Sequence, residues 1–297
     1  MSTLQLRPAP GSPLRHRLVT AALAGIGAAA PLAGVVQGRG AVEQERRDFA
    51  EWLRSAPLSP RRAVGIFPLG AGLTVGPPTA AIPLAGVAAG QLSEHDGRIV
   101  LQSGERRLPL VRGRAASVGA WRLLVSGPPG RTAVTVFAAE LKAGKHPAWF
   151  PYDSRLAFTV ELVPPLAPAT LRLLAPDGVE VEATEAGSVT VTVAGKPQTL
   201  LVRRLPGGSD EESELEIFFR DSSNGRTTYP AGRFVSLTPQ GGTRYLLDLN
   251  RARNPFCAYN TAYPCPAPWR GNAVGAPVQA GERYAGGGLS TPPGGSW

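Results

Sequence analysis

Apolar residues recur at helical spacing in one long segment of the chain, Ala41–Arg54. Charged residues occupy the remaining faces of this segment, and prolines follow it at 57 and 60. This pattern predicts one amphipathic helix over residues 41–56. Its apolar side is formed by Val42, Phe49, Trp52 and Leu53.

After this helix the pattern changes to short apolar runs separated by turns. The runs between residues 62 and 140 predict a small β-sandwich. From residue 155 to 284 the alternation is clearer, as in Phe158, Val160 and Leu162, and predicts a second β domain. Strands at such regular spacing are typical of antiparallel sandwiches and barrels. The predicted fold class is therefore all-β, with antiparallel sandwich or barrel-like units and one N-terminal amphipathic helix.

Glycine and proline, with 36 and 30 residues, also favour this class. Both weaken helix interiors and both serve turns. Aromatic residues in the bridge between the two β series, Trp149, Phe150 and Tyr152, indicate that the bridge packs against a neighbour. Residues 285–297 have nothing to pack, and we predict that this tail is disordered.

The net charge of +9 is concentrated near the N-terminus. Residues 1–62 hold nine arginines and four acidic residues, a net charge of +5. The remaining residues therefore carry a basic excess of only +4. A nucleic-acid surface needs a local basic stripe with interleaved aromatic residues. We therefore expect no nucleic-acid partner.

The N-terminal charge has a simpler use. Arg7, Arg15 and Arg17 precede an uncharged stretch, Leu18–Gly38, in the order of an export signal. The stretch is barely long enough to span a bilayer and is rich in Ala and Gly, which favours a signal over a permanent membrane anchor. We expect residues 1–40 to direct export to the periplasm, cell surface or medium, with N-terminal membrane association as one form. A disordered leader on a cytoplasmic protein is the alternative.

Common catalytic motifs are missing from the sequence. There is no G-x-S-x-G, and the Gly-Lys pairs at 144 and 195 lack the other residues of a phosphate loop. His95 and His146 are isolated, which gives neither a paired-His zinc site nor a triad. The sequence predicts no metal and no cofactor.

Cys257 and Cys265 enclose a short loop rich in tyrosine and proline. Two thiols do not complete a four-ligand zinc site. In an exported protein they would oxidise, so we predict a disulfide, with reduced structural thiols as the alternative.

Polar residues are unusually dense between Phe218 and Tyr284. Three motifs stand out: F-R-D with a following T-Y-x-x-G-R, then L-D-x-N-x-A-x-N-P-x-C-A, then C-P-x-P and A-G-E. They resemble the signature of the bacterial domain-of-unknown-function family DUF1684, and weaker similarity reaches back to the helix. Leu249 departs from the family's aromatic residue, and Ser223 and Asn224 are inserted in the turn. The resemblance implies no reaction, because none is assigned to the family. Its matching residues are Phe219, Arg220, Asp221, Gly225, Thr228, Tyr229, Gly232, Arg233, Leu247, Asp248, Asn250, Ala252, Asn254, Pro255, Cys257, Ala258, Cys265, Pro266, Pro268, Ala280, Gly281 and Glu282.

The first β unit loosely resembles a forkhead-associated sandwich. That family reads phosphothreonine with an arginine, and Pro77 stands in its place here. Without this donor, phosphopeptide binding is disfavoured.

Seven polar residues of the signature are candidates for a site. As a pocket, they offer guanidiniums for an anion or carbonyl, and carboxylates and amides for hydroxyls. As an internal network, they would pair with one another, cap turns and hold the Pro-rich tail on the sheet. The candidates are Arg220, Asp221, Tyr229, Arg233, Asp248, Asn250 and Asn254.

Two functions follow from these interpretations. The first is a non-catalytic exported β-protein that binds a small polar ligand or an envelope partner. The second is a metal-independent, hydrolase-like enzyme that uses Asp221 and Asp248 as an acid/base pair beside Tyr229. A common concave pocket for the two carboxylates would favour the enzyme.

Overall fold

A computed structural model describes residues 38–141, 144, 146–206 and 213–284. Of the predicted leader, residues 1–40, only the last three residues lie within these ranges. The predicted tail, 285–297, lies outside them as well.

Helix α1 spans Arg39–Ser55, close to the predicted 41–56. Arg39 and Gly40, assigned to the leader by the charge pattern, therefore belong to the helix. Val42, Phe49 and Leu53 are its buried residues, as the apolar spacing predicts, whereas Trp52, the fourth residue of the predicted apolar side, is half-buried. Within the described part of the chain, no helix is both long and apolar enough to cross a membrane.

Two antiparallel sheets follow α1 and share one apolar core. A four-stranded sheet has the order β1-β9-β8-β7, and a five-stranded sheet has the order β3-β2-β4-β5-β6, in which the β2-β3 pair is parallel. Leu92 from one sheet and Leu123 and Val136 from the other are buried in the common core. The strands are β1 (Ala63–Pro68), β2 (Leu73–Gly76), β3 (Ile82–Pro83), β4 (Gly90–His95), β5 (Arg98–Ser103), β6 (Arg106–Leu110), β7 (Ala115–Val118), β8 (Trp121–Ser126) and β9 (Ala133–Phe137).

An eight-stranded sheet is the largest element of the second β series, in the order β11-β17-β16-β15-β14-β13-β12, with β18 beside β15. Val163 and Ser188 exchange two backbone hydrogen bonds of 2.9 Å, which bring the chain after β11 to the edge of β13. The sheet curls but, over the described residues, does not close into a barrel. Its strands, with the β10-β19 pair, are β10 (Ala148–Trp149), β11 (Ala157–Glu161), β12 (Thr170–Leu174), β13 (Glu180–Val193), β14 (Lys196–Pro206), β15 (Ser213–Asp221), β16 (Arg233–Gly241), β17 (Arg244–Asp248), β18 (Ala273–Val274) and β19 (Glu282–Arg283).

Both faces of this sheet are buried around β15. Ile217 and Phe219 enter the main core, whereas Phe218 points to the other face, where it stacks on Phe234 at 4.0 Å and meets the edge of Trp269. Alternation along the strand explains this division. A third apolar cluster joins the eight-stranded sheet to the first β unit. In this cluster, Ala63 and Phe137 of the first unit pack with Tyr229.

The chain leaves the sheet earlier than the sequence pattern indicates. Strand β17 ends at Asp248, and Leu249–Arg251 forms a 3₁₀ helix. Because Asp248 and Asn250 are two residues apart, the period of a strand predicts that their side chains share one face of it, and the 3₁₀ helix shows that this prediction is wrong. The Asp248 carboxylate instead accepts the backbone N–H of Asn250 at 3.0 Å and caps the turn.

Residues 273–284, here the C-terminal segment, lie across the ends of these strands. Strand β18 runs parallel to the end of β15, and β19 pairs with β10. The segment is nearly devoid of regular structure between them, so its backbone groups need partners from side chains.

Candidate functional site

Arg233 and Asp221 form an ion pair in the interior. Asp221 is the last residue of β15, and Arg233 is the first of β16. Arg233 Nη2 lies 2.8 Å from Asp221 Oδ2, and neither side chain is exposed. The guanidinium also lies over the Phe219 ring at 5.4 Å. A guanidinium removed from water in this way is retained only with partners on most of its N–H groups.

These partners are carbonyl groups of the C-terminal segment. Arg233 donates to the backbone oxygens of Val278 (2.9 Å), Ala280 and Glu282 (3.3 Å). Its Nε has no hydrogen-bond partner in the described structure. Burial lowers the pKa of Arg233, and the charge of Asp221 opposes this change. Arg233 thus fixes a stretch that has almost no backbone ladder of its own.

Asp221 organises the turn that leads to β16. Its Oδ1 accepts the backbone N–H of Ser223 at 2.8 Å, the Ser223 hydroxyl, and the N–H of Val278 at 3.3 Å. Asn224 accepts the Asp221 N–H at 2.5 Å and donates to the carbonyl of Tyr229. The carboxylate is therefore saturated by the protein, as in an Asx turn.

Two signature glycines allow the backbones to approach each other. Gly232 has a φ of +105°, and a Cβ there would lie 2.5 Å from the Phe219 carbonyl oxygen. Gly281 has a φ of +72°, and a Cβ there would lie 2.6 Å from the Ala252 carbonyl oxygen. Both conformations favour glycine, and both contacts exclude a side chain.

Asp248 and Asn250 form a second network on a different loop. Asn250 Oδ1 accepts the N–H of Asp153 at 2.8 Å, and its Nδ2 donates to the Asp153 carbonyl and to Asp248 Oδ1, each at 2.8 Å. Arg46 of helix α1 donates to the carbonyls of Asn250 and Phe150, at 2.9 Å each. These residues hold the 150–155 loop and the N-terminal helix on the sheet.

Asn254 meets Glu282, a signature residue outside the seven candidates. The N–H of Asn254 donates to Glu282 Oε2 at 2.8 Å, and the Tyr259 hydroxyl donates to Oε1. Glu282 is 1% exposed. Burial raises its pKa to about 7, and the bonds from Tyr259 and Asn254 with the charge of Arg253 limit this rise. Burial also raises the pKa of Tyr259, which keeps its hydroxyl protonated.

Glu216 is a second buried carboxyl that the sequence pattern does not reveal. It alternates with apolar neighbours on β15, which predicts a solvent-facing side chain, yet it is fully buried. Its Oε1 accepts from Ser236 at 3.3 Å, and Oε2 has no partner among the described residues. Burial raises its pKa to about 7. The face that it occupies is covered by Trp269 and the loop at 175–178, and a local pattern contains no sign of that cover.

Tyr229 lies at the two cysteines rather than at the carboxylates. Its buried hydroxyl donates to Cys257 Sγ at 3.2 Å and lies 3.3 Å from Cys265 Sγ. Cys257 is buried and Cys265 is exposed, and both are free cysteines in the structure. The two sulfur atoms lie 2.6 Å apart. The predicted pair is brought together, without a bond between the sulfurs.

Arg220 differs from the other six candidates. It is half-buried, and within the described structure its guanidinium has no hydrogen bond or ion pair. Its backbone N–H donates to the Asn272 carbonyl at 2.9 Å. Asn272, absent from the candidates, is buried and ties β14 to β15 through Leu201 and Phe218.

The geometry favours the internal network for six of the seven candidates. Among the described residues, Asp221 and Asp248 share no partner: the first is held by Arg233 and the turn at 223, and the second by Asn250. Nothing in these contacts forms the shared pocket that a carboxylate pair needs. The described residues contain no group of three or more metal-ligating side chains.

Comparison with known proteins agrees with the sequence motifs. Residues 145–283 match the family model described as "Protein of unknown function (DUF1684)". A solution NMR structure of an uncharacterized protein from gene locus rrnAC0354 of Haloarcula marismortui is 26% identical, with a TM-score of 0.41, over 47% of this chain and 77% of that chain. No curated protein matches.

Proposed function

We propose that this chain, whose residues 145–283 form its DUF1684 part, is a non-catalytic exported β-protein that binds another protein of the cell envelope. The carrying observation is that six of the seven polar signature residues are occupied internally. Side chains whose polar atoms are mostly paired within their own protein, here all but Arg233 Nε and Asn254 Oδ1 among the buried atoms, have little left for a ligand. A binding function then belongs to the surface that this network keeps rigid.

The outer edge of β12 is the surface that we assign to the partner. Val163 and Leu166 are 61% and 107% exposed, and Leu171 on β12 is 36% exposed. Strand β12 pairs with β13 on one side only and ends the sheet in the described structure. An open strand edge flanked by exposed apolar side chains suits the addition of an extended strand from another protein.

Site-specific photo-crosslinking in intact cells tests this assignment. A photoreactive residue at Leu166 should give a discrete crosslinked species, and the second substitution Leu171→Asp should reduce it. Val111, 56% exposed in the first β unit, is the matched control position. Equal crosslinking at both positions, or none at Leu166, would contradict the proposal.

A small polar ligand is the other form of the binding function. The free guanidinium of Arg220 is the group that would take part in it. A thermal-shift screen against metabolites and glycans, run on wild type and Arg220→Ala, separates the two forms. A shift that disappears in the variant would replace the protein partner by a ligand.

We also propose that the predicted leader, without the two residues that belong to α1, directs export, which leaves residues 1–38. This rests on the basic and apolar order of the leader. A fusion of these residues to a reporter that is active only outside the cytoplasm should be active. A fusion that lacks Leu18–Gly38 should not be. Inactivity of both fusions would leave the cytoplasmic alternative, and activity of both would show that the apolar stretch is not the export signal.

In the exported protein we propose a Cys257–Cys265 disulfide. Its support is the meeting of the two sulfurs at the Tyr229 hydroxyl. Closing so short a loop contributes about 2.5 kcal/mol. Intact mass after alkylation, with and without prior reduction, should show no reactive thiol before reduction and two after it. Two alkylated cysteines in unreduced exported protein would contradict the disulfide.

A further inference from the structure

The Cys257–Cys265 pair has two chemically different ends. We propose that it is a site of thiol–disulfide exchange, in which an external disulfide reacts first at Cys265 and Cys257 then completes the bond. The inference rests on the disulfide proposed above and adds a direction to its formation and opening. A small-molecule disulfide such as oxidised glutathione is the class of oxidant.

Access to solvent sets the order of the two steps. Cys265 is exposed, whereas Cys257 is only 3% exposed and packs in an apolar cluster with Tyr263 and Tyr284. Exchange needs an in-line approach of the incoming sulfur. A reagent from solvent therefore reaches Cys265 and is kept from Cys257 by the fold.

The surroundings also favour the thiolate at Cys265. The contact with Cys257 lowers the pKa of Cys265, and the Tyr229 hydroxyl, 3.3 Å from the same sulfur, acts in the same direction, while burial opposes both. The pKa of Cys257 is raised, by its bond to Cys265 and by burial. Burial keeps the Tyr229 hydroxyl protonated, so it remains a donor to sulfur. Since the thiolate is the nucleophile, reactivity is concentrated at the exposed sulfur.

The steps balance as follows. The Cys265 thiolate attacks one sulfur of R–S–S–R, the S–S bond breaks, and R–S⁻ leaves and takes a proton from water. The product is a mixed disulfide between Cys265 and R–S. Cys257 then attacks Cys265 Sγ and gives its proton to the departing second R–S⁻. Two protein thiols are oxidised by two electrons, and one external disulfide is reduced to two thiols.

The loop between the cysteines links this site to the rest of the molecule. Asn260 in the loop donates to the carbonyls of Pro60 and Ala63, at 2.8 and 2.7 Å. Phe256 contacts Trp52 of α1, and Tyr259 contacts Phe49. Exchange at Cys265 therefore acts on the loop that holds α1 and the first β unit against the sheet.

Partial alkylation of the reduced, folded full-length protein tests the order directly. With limiting iodoacetamide, peptide mapping should find the label on Cys265 at least about tenfold more often than on Cys257, as a surface thiolate beside a buried thiol requires. Denaturation before labelling should equalise the two. Equal labelling in the folded protein, or preferential labelling of Cys257, would overturn the proposal.

Three variants locate the steps. Cys257→Ser with oxidised glutathione should stop at a mixed disulfide on Cys265, and Cys265→Ser should form none until it is denatured. Tyr229→Phe should move the midpoint of the pH profile of Cys265 alkylation upward. An unchanged profile removes Tyr229 from the proposal. If wild type forms no disulfide with oxidised glutathione, the disulfide itself fails. If the bond forms but Cys257→Ser gives no adduct, only the direction fails.

Discussion

Removing the guanidinium of Arg233 tests what holds the C-terminal segment on the sheet. The substitution Arg233→Met keeps most of the aliphatic part of the side chain but deletes every side-chain donor, including the guanidinium that lies over the Phe219 ring. Asp221 then stays buried without its cation. Removing one member of a buried ion pair costs about 3–5 kcal/mol. The carbonyls of Val278, Ala280 and Glu282 also lose their donor, and each carbonyl left buried without a partner adds about 1 kcal/mol or more.

These contributions are not additive, because the segment can detach and hydrate its carbonyls. We therefore expect the free energy of unfolding of Arg233→Met to fall by about 4 kcal/mol. This is a large part of the 5–15 kcal/mol that is typical of domains. With an m-value near 3 kcal/mol per M in urea, the unfolding midpoint should fall by about 1 M. Tryptophan fluorescence during urea titration gives this midpoint.

Two further variants control this experiment. Arg155 forms an exposed pair with Asp153 at 2.8 Å, and Arg155→Ala should leave the midpoint unchanged. Adding Asp221→Asn to Arg233→Met should recover part of the loss, since no uncompensated charge remains. A midpoint for Arg233→Met within about 0.3 M of wild type would refute the reasoning.

Three other perturbations probe separate parts of the structure. Burial raises the pKa of Glu216 from 4.5 to about 7, so this group favours the folded state below pH 4.5 and loses that contribution as the pH rises through 7. In urea titrations, the free energy of unfolding of Glu216→Gln should therefore exceed that of wild type by up to about 3 kcal/mol at pH 8 and by almost nothing at pH 4. An equal effect at both pH values would contradict the raised pKa. Gly232→Ala should cost about 2 kcal/mol or more by thermal unfolding, whereas Gly241→Ala, with a similar φ of +100° and no atom within 4 Å, should cost less; equal losses would exclude the contact as the cause. Asn250→Ala should speed amide exchange at Asp153 at least about tenfold, and an unchanged rate would show that the loop is held by other groups.

Local patterns were sufficient for the helix and most of the longer strands, but the apolar runs did not mark β4 (Gly90–His95) or β7 (Ala115–Val118). Apolar spacing alone placed α1 and its buried face, because an amphipathic helix depends on residues three and four apart. Alternation placed Phe158 and Val160 on β11 for the same reason. The pattern was wrong at Asp248, where it predicts a continuing strand although the residue caps a 3₁₀ helix. Capping depends on the geometry of the side chain, and the alternation of apolar and polar residues carries no information on it.

The candidate site could be located from the sequence, but the hydrogen bonds and ion pairs within it could not be predicted. Arg233 meets Val278 and Ala280 only because β18 lies beside β15, and such a pairing is not encoded in nearby residues. Glu216 shows the same limit, because its burial depends on Trp269 from a distant loop. The motif residue Glu282 was visible as part of A-G-E, whereas its partner Tyr259 required the fold.

The central claim is that the polar signature residues form an internal network that holds the C-terminal segment on the sheet. Hydrogen exchange of this segment tests the claim most directly. The amides of Val278, Glu282 and Tyr284 donate to Asp221, to the Ala252 carbonyl and to the Thr227 carbonyl. In wild type these amides should be protected nearly as well as those of β15 and β16, and in Arg233→Met they should exchange much faster while the core strands change little. Rapid exchange of the segment in wild type, or equal protection in both proteins, would contradict the account.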